Sequence, residues 1–190
     1  MTSKQQILDH IRKNRRSSYD MPSLDKIASV QYEDPLAQFI ASTRMAGGQA
    51  VILEPGQDVN ELIKNLYPDA SRIASVLPYI EASLNPNTVS DASRLNGVDL
   101  GVVEGQVAVA ENGCIWIPQT MKERAVLFIS ECLVIIVDRH NIVSNMHQAY
   151  DQIENHSYGC FISGPSKTAD IAQALVMGAQ AARGVTVVIR

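Results

Sequence analysis

Two short segments of this chain carry residue types at spacings that could do chemistry. In the first, Glu111-Asn112-Gly113 directly follows the apolar run Val107 to Ala110. An Asn-Gly pair readily makes a tight turn that exposes its amides, so a carboxylate beside it has the parts of a nucleophile or base with oxyanion donors adjacent. In that scheme Glu111 attacks, and the Asn112 and Gly113 amides hold the developing charge. The plainer alternative is that Glu111 hydrogen-bonds nearby backbone and closes the turn. Glu104, at the end of the preceding apolar run, is the lesser candidate of the two carboxylates. The second segment is Gly164-Pro165-Ser166-Lys167-Thr168-Ala169-Asp170. Placed between a strand and a helix, its free amides, the Ser166 and Thr168 hydroxyls and the Lys167 charge could hold a phosphate or carboxylate at the helix N-terminus. Gly164, Ser166, Lys167, Thr168 and Asp170 are therefore candidate ligand-binding residues. The GxxxxGK[ST] spacing of a Walker A loop is absent. The alternative is an ordinary capped turn, with Gly164 giving freedom and Pro165 setting the first helical φ.

The elements that must position these loops belong to one ordinary globular domain. The chain has 190 residues, 46% of them apolar and 19% charged, enough to bury a full core, which disfavours disorder, collagen and coiled coil. A net charge of −4 gives no field that would hold a polyanion, so general nucleic-acid or anionic-membrane binding is not expected. No stretch without Asp, Glu, Lys or Arg is longer than Ile171 to Ala182, which is too short to span a bilayer. Lys4, Asp9, Arg12 and Lys13 interrupt what would have to be the apolar core of a signal peptide, so a cytoplasmic location is expected. Cys114, Cys132 and Cys160 are odd in number, far apart and set in apolar stretches, as reduced core residues are. There is no CxxC or HxxxH pair, and His10, His140, His147 and His156 share no ligand spacing. No metal site or cofactor is expected on this chain.

Periodicity divides the chain into residues 1–33, an N-terminal helix with a connecting arm, and residues 34–190, an α/β domain. Ser3 to Asn14 reads as a helix with a narrow stripe of Ile7, Leu8 and Ile11. Asp34 can cap a helix with Pro35 at its first position, and Leu36, Phe39, Ile40 and Thr43 share a face until Gly47-Gly48. A strand from Ala50 to Glu54, a helix from Asp58 and a strand from Arg72 to Leu77 give a β-α-β rhythm, and Pro78 to Asn96 reads as irregular. Three short strands follow at Val98 to Val103, Val107 to Ala110 and Cys114 to Ile117. The β-branched run Leu133 to Val137 suits a strand buried on both faces. A helix from Asn141 to Ile153, a strand from Cys160 to Ser163, a helix from about Ser166 to Gly178 and a strand from Val185 to Ile189 complete the expectation. The predicted architecture is an open, mostly parallel sheet flanked by helices, with an N-terminal helical extension. In such sheets ligands sit beyond the carboxyl ends of the strands.

The segments Asp99 to Ile117 and Ile162 to Ile171 together resemble the two signature blocks of the LUD domain family, also called the lactate utilization protein C or LutC/YkgG family. The second block is the more specific, and the resemblance runs from about Pro35 to Arg190. It implies a fold like the NagB/RpiA/CoA-transferase group. It also implies an accessory role in cytoplasmic oxidation of L-lactate to pyruvate beside iron–sulfur partner proteins, which would hold the clusters this chain lacks. Members commonly show Thr after the first short strand and Glu-Thr-Gly-Thr later, where this chain has Val103-Glu104 and Glu111-Asn112-Gly113-Cys114. The Glu-Asn-Gly variant also resembles the loop of family I CoA-transferases that carries a nucleophilic glutamate. Two alternatives therefore stand beside the accessory role: an acyl- or CoA-transferase using Glu111, and a sensor that binds a small carboxylate or phosphate-bearing ligand without chemistry. No interface pattern sets the oligomeric state, and a homodimer is compatible with the chain.

Overall fold

Local capping decides where the helices begin. In the computed structural model, which describes residues 2–17, 19–20, 22–23, 28–153, 158–169, 175–177 and 182–190, Thr2 and Gln5 form a capping box for α1 (Ser3–Asn14). No residue of α1 is buried, and Ile7 and Ile11 are each 61% exposed. The arm that follows reaches the domain at Val30, whose carbonyl accepts from Asn145 Nδ2 at 2.9 Å. Asp34 accepts from the Ala37 amide and Pro35 occupies the first turn of α2 (Pro35–Met45), as the sequence predicts. Asp58 caps α3 (Val59–Leu66) in the same way.

Five strands make an all-parallel sheet: β1 (Gln49–Ile52), β2 (Ile73–Ser75), β3 (Leu100–Glu104), β6 (Cys132–Val137) and β11 (Gly184–Ile189), in the order β1-β11-β6-β3-β2. A second sheet holds β4 (Val107–Val109), β5 (Cys114–Pro118), β7 (Ile142–Val143) and β8 (Gly159–Ile162), in the order β7-β4-β5-β8. It is mixed, with only β4 and β7 parallel. The central strand β6 is buried on both faces. Leu133, Ile135 and Val137 pack with Phe39 of α2 and with Ile115 and Ile117 of β5, while Val134 and Ile136 pack with Leu62 and Ile63 of α3. Each such side chain removed from water contributes about 1.5–3 kcal/mol. This double burial explains the unbroken apolar run. Among the described residues the remaining α-helices are a single turn, α4 (Val126–Ile129), and α5 (Met146–Gln152).

The structure departs from the sequence reading in three places. The runs Val107 to Ala110, Cys114 to Ile117 and Cys160 to Ser163 leave the parallel sheet for the second sheet, because hairpin pairing Val109↔Cys114 fixes an antiparallel register there. The helix expected from Asn141 starts only at Met146, since Ile142 and Val143 pair with Ala108 and Val109, and the Asn145 side chain then caps by accepting from the Gln148 amide. The helix expected from Ser166 to Gly178 is replaced, among the described residues, by β9 (Lys167–Ala169) paired antiparallel with β10 (Leu175–Met177). Local apolar spacing does not separate helix from strand over so short a stretch, and pairing decides.

Candidate functional site

The two segments singled out by sequence meet in space, both against the last turn of α2. Gly113 adopts φ +67°, and a Cβ there would lie 2.7 Å from the Thr43 amide nitrogen and 2.8 Å from the Ser42 carbonyl carbon. Gly164 adopts φ +64°, and a Cβ there would strike the Ala46 carbonyl oxygen. Both positions thus need glycine for its left-handed backbone and for its lack of a side chain. Ser163 Oγ donates to the Asn112 carbonyl at 2.9 Å and ties the two loops together. Beneath them the Thr43 side chain is fully buried, and its hydroxyl has no hydrogen-bond partner among the described residues.

Several groups of these loops are engaged in holding the fold. Glu111 Oε1 accepts from the Met146 amide at 2.8 Å, so the carboxylate sits at the start of α5 rather than closing its own turn. The Glu111 amide donates to Ser144 O at 3.1 Å, and the Gly113 amide to Val109 O at 2.9 Å. Asn112 Oδ1 accepts from the Cys114 amide at 3.1 Å. In the second loop the Ser166 amide donates to Ala182 O at 3.0 Å, Lys167 is exposed on β9, and Thr168 pairs with Val176. Asp170 lies outside the described residues. With no helix following Gly164 among the described residues, the helix-terminus argument for anion binding there has no support.

The carboxyl edge of the parallel sheet gathers a different set of groups. Glu104 ends β3, Asp138 follows β6 and Arg190 follows β11, three strands adjacent in the sheet. Arg190 Nη2 meets Glu104 Oε1 at 2.5 Å, across the end of β6, and Arg190 Nη1 donates to the Tyr79 hydroxyl at 3.3 Å. The guanidinium also lies 5.8 Å from the Tyr79 ring centre. Backbone bonds anchor the arginine: its amide donates to Val137 O at 3.1 Å, and its carbonyl accepts from the Arg139 amide at 2.9 Å. Burial pushes the Tyr79 phenol up from its ordinary value, and the Glu104 charge adds to the rise. The Glu104 and Arg190 side chains edge a cleft of about 290 Å³ that Gln106, Thr120, Asp138 and Asn141 also line. Asp138 Oδ1 accepts from the His140 amide at 2.8 Å, and Gln106 Nε2 donates to Gln152 O at 3.2 Å, which holds both side chains in place. The whole of β4, roughly 10 Å long, lies between Gln106 of this cleft and the Glu111 turn.

Sequence reading overlooked Tyr79, Asp138 and Arg190, and ranked Glu104 second. A signal existed: Glu104, Asp138 and Arg190 are each the first charged residue after an unbroken apolar run. Three other cations are engaged elsewhere. Arg183 pairs with Glu131 at 3.1 Å, Arg124 stacks 4.2 Å over the Tyr158 ring, and Lys122 donates to Val89 O at 3.1 Å. Among the described residues, no three His, Cys, Asp or Glu side chains are grouped to hold a metal ion.

Comparison with known proteins bears on the two loops directly. The family model described as LUD domain matches residues 91–189, slightly more than half of the chain and inclusive of both loops. The chain belongs to the LUD domain family. Lactate utilization protein C of Oceanobacillus iheyensis is 27% identical over 100 residues, covering 48% of this chain and 43% of that protein. Lactate utilization protein C 1 of Bacillus mycoides is 33% identical over 97 residues, covering 46% of this chain and 42% of that protein. The matches thus span less than half the length of these curated relatives. The crystal structure of a DUF162 family protein from Deinococcus radiodurans aligns with a TM-score of 0.66 at 15% identity, over 85% of this chain and 99% of that one. That likeness concerns the fold, and it agrees with the parallel sheet flanked by helices.

Proposed function

We propose that this LUD-domain chain serves lactate utilization as a component that binds a small metabolite at the carboxyl edge of its parallel sheet, while iron–sulfur partner proteins carry the electrons. The observation that supports ligand binding is the cleft where Arg190, Glu104 and Asp138 converge beyond three adjacent parallel strands. Open α/β sheets bind ligands in that position because the strand ends and their loops diverge there. The lactate assignment draws on the two relatives named lactate utilization protein C. In this reading the Glu111 and Gly164 loops, locked to α2, brace the second sheet and position β4, which directly follows the cleft residue Gln106. No helix is long and apolar enough to cross a membrane among the described residues, which suits work in the cytoplasm.

Acyl transfer through Glu111 finds less support, since its Oε1 is held by the Met146 amide and the Gly113 amide is bonded to Val109. The test is a strain lacking the gene, grown on L-lactate as sole carbon source and complemented with wild type or Arg190→Gln. Wild type restores growth and co-purifies with proteins that absorb in the visible range; Arg190→Gln fails although it is folded and abundant. Normal growth of the deleted strain on lactate refutes the role.

A further inference from the structure

Arg190 and Glu104 stand at the ends of strands that are not neighbours, since β6 runs between β11 and β3. Two strand spacings separate them, roughly 10 Å, so both side chains must lean over the end of β6 to meet. The contact they make is partial. Only Glu104 Oε1 engages Arg190 Nη2, while among the described residues the rest of the guanidinium fork has one further hydrogen bond, at 3.3 Å to the Tyr79 hydroxyl. Arginine carries five N–H donors and is matched to two parallel carboxylate bonds, so most of its capacity for an anion is free. Its side chain is 41% exposed and that of Glu104 42%, so solvent and solutes reach the pair.

Resting on the reading of this cleft as the ligand site, we infer that Glu104 is a built-in competitor: it occupies Arg190 in the empty protein and is displaced when a small monocarboxylate takes the guanidinium. The groups around Arg190 set the sign of this competition. Glu104 from β3 and Asp138 from the end of β6 place two negative charges against the one positive charge of Arg190, with the neutral Tyr79 hydroxyl alongside. The occupied pair therefore leaves the cleft with a repulsive excess for an anion, and freeing Arg190 requires Glu104 to swing toward water. A volume of about 290 Å³ suits an acid of a few carbons and is small for a nucleotide or a whole CoA. Thr120 and Asn141, which line the same cleft, can hydrogen-bond a hydroxyl or oxo group beside the carboxylate.

The experiment is a nuclear magnetic resonance titration of the whole chain with L-lactate, pyruvate and acetate at fixed ionic strength, with sodium chloride as control. Wild type, Glu104→Gln and Arg190→Gln are compared, and circular dichroism verifies that each is folded. A structural ion pair would make loss of Glu104 harmful to binding, whereas a competitor makes it helpful. Glu104→Gln is expected to bind all three acids roughly five- to tenfold more tightly than wild type, the gain from removing an exposed ion pair and one repulsive charge. Arg190→Gln is expected to lose saturable shifts. Unchanged or weaker binding by Glu104→Gln, with binding still dependent on Arg190, overturns the competitor and leaves the ligand site standing. Binding indifferent to Arg190, or none in any version, overturns both.

Discussion

Replacing Gly113 by alanine tests the claim that the signature loop is locked against α2 by backbone contact rather than by sequence habit. At φ +67° an L side chain costs roughly 1–2 kcal/mol from the left-handed backbone alone. The added Cβ would also sit 2.7 Å from Thr43 N and 2.8 Å from Ser42 C, backbone atoms of two buried residues of α2 that cannot rotate away. Forcing that helix aside adds about 1–3 kcal/mol of overpacking. Gly56 supplies the internal control, because its φ is +83° but a Cβ there meets nothing within 4 Å. Thermal unfolding followed by circular dichroism reads the difference. For a chain of this size about 1 kcal/mol shifts Tm by roughly 2–4 °C, so the Tm of Gly56→Ala should fall by about 5 °C and that of Gly113→Ala by about 10 °C. Asparagine tolerates the left-handed region but keeps a Cβ, so Gly56→Asn should recover most of its loss and Gly113→Asn little. Equal losses at the two alanine positions would refute the contact argument.

Three further outcomes follow from groups already placed. Glu111→Ala removes the acceptor of the Met146 amide and should lower stability by about 1–2 kcal/mol in urea unfolding, whereas Glu111→Gln, which keeps an acceptor oxygen, should lose less than half of that. Any acyl-CoA turnover by this chain that disappears in Glu111→Gln would instead mark a nucleophile. Asp99 accepts from the Arg72 and Ser71 amides and the Ser71 hydroxyl, which holds its carboxyl below the usual aspartate range. Its stabilising contribution is thus present above the unfolded aspartate value near 4 and is lost as pH falls through the folded value. Tm measured from pH 6 to pH 3 should accordingly fall more steeply for wild type than for Asp99→Asn. Burial pushes the Cys114 thiol up to about 12 and raises Cys132 and Cys160 as well, so alkylation at pH 8 should be slow in the native protein and complete within minutes in urea. Fast native labelling of Cys114 would contradict its packing beside Met146.

The sequence by itself determined what depends on neighbouring residues. Asp34-Pro35 and Asp58 start their helices because capping acts within three residues, and Leu133 to Val137 reads as a doubly buried strand because its own side chains say so. The family signature is likewise local, being two short blocks of residues. Tertiary structure alone decided which sheet each short strand joins, since Ala108 and Val109 pair with Ile142 and Val143 across more than thirty positions of chain. It also decided the fate of the two loops. Sequence marks Glu111 and Gly164 by type, yet only the packed chain shows the carboxylate held at α5 and the glycine pressed against Ala46. The carboxyl-edge cleft was out of reach for the same reason. Tyr79, Glu104, Asp138 and Arg190 lie far apart along the chain and share one place only because parallel pairing aligns the ends of β3, β6 and β11, and pairing is a long-range choice that local residue patterns do not carry.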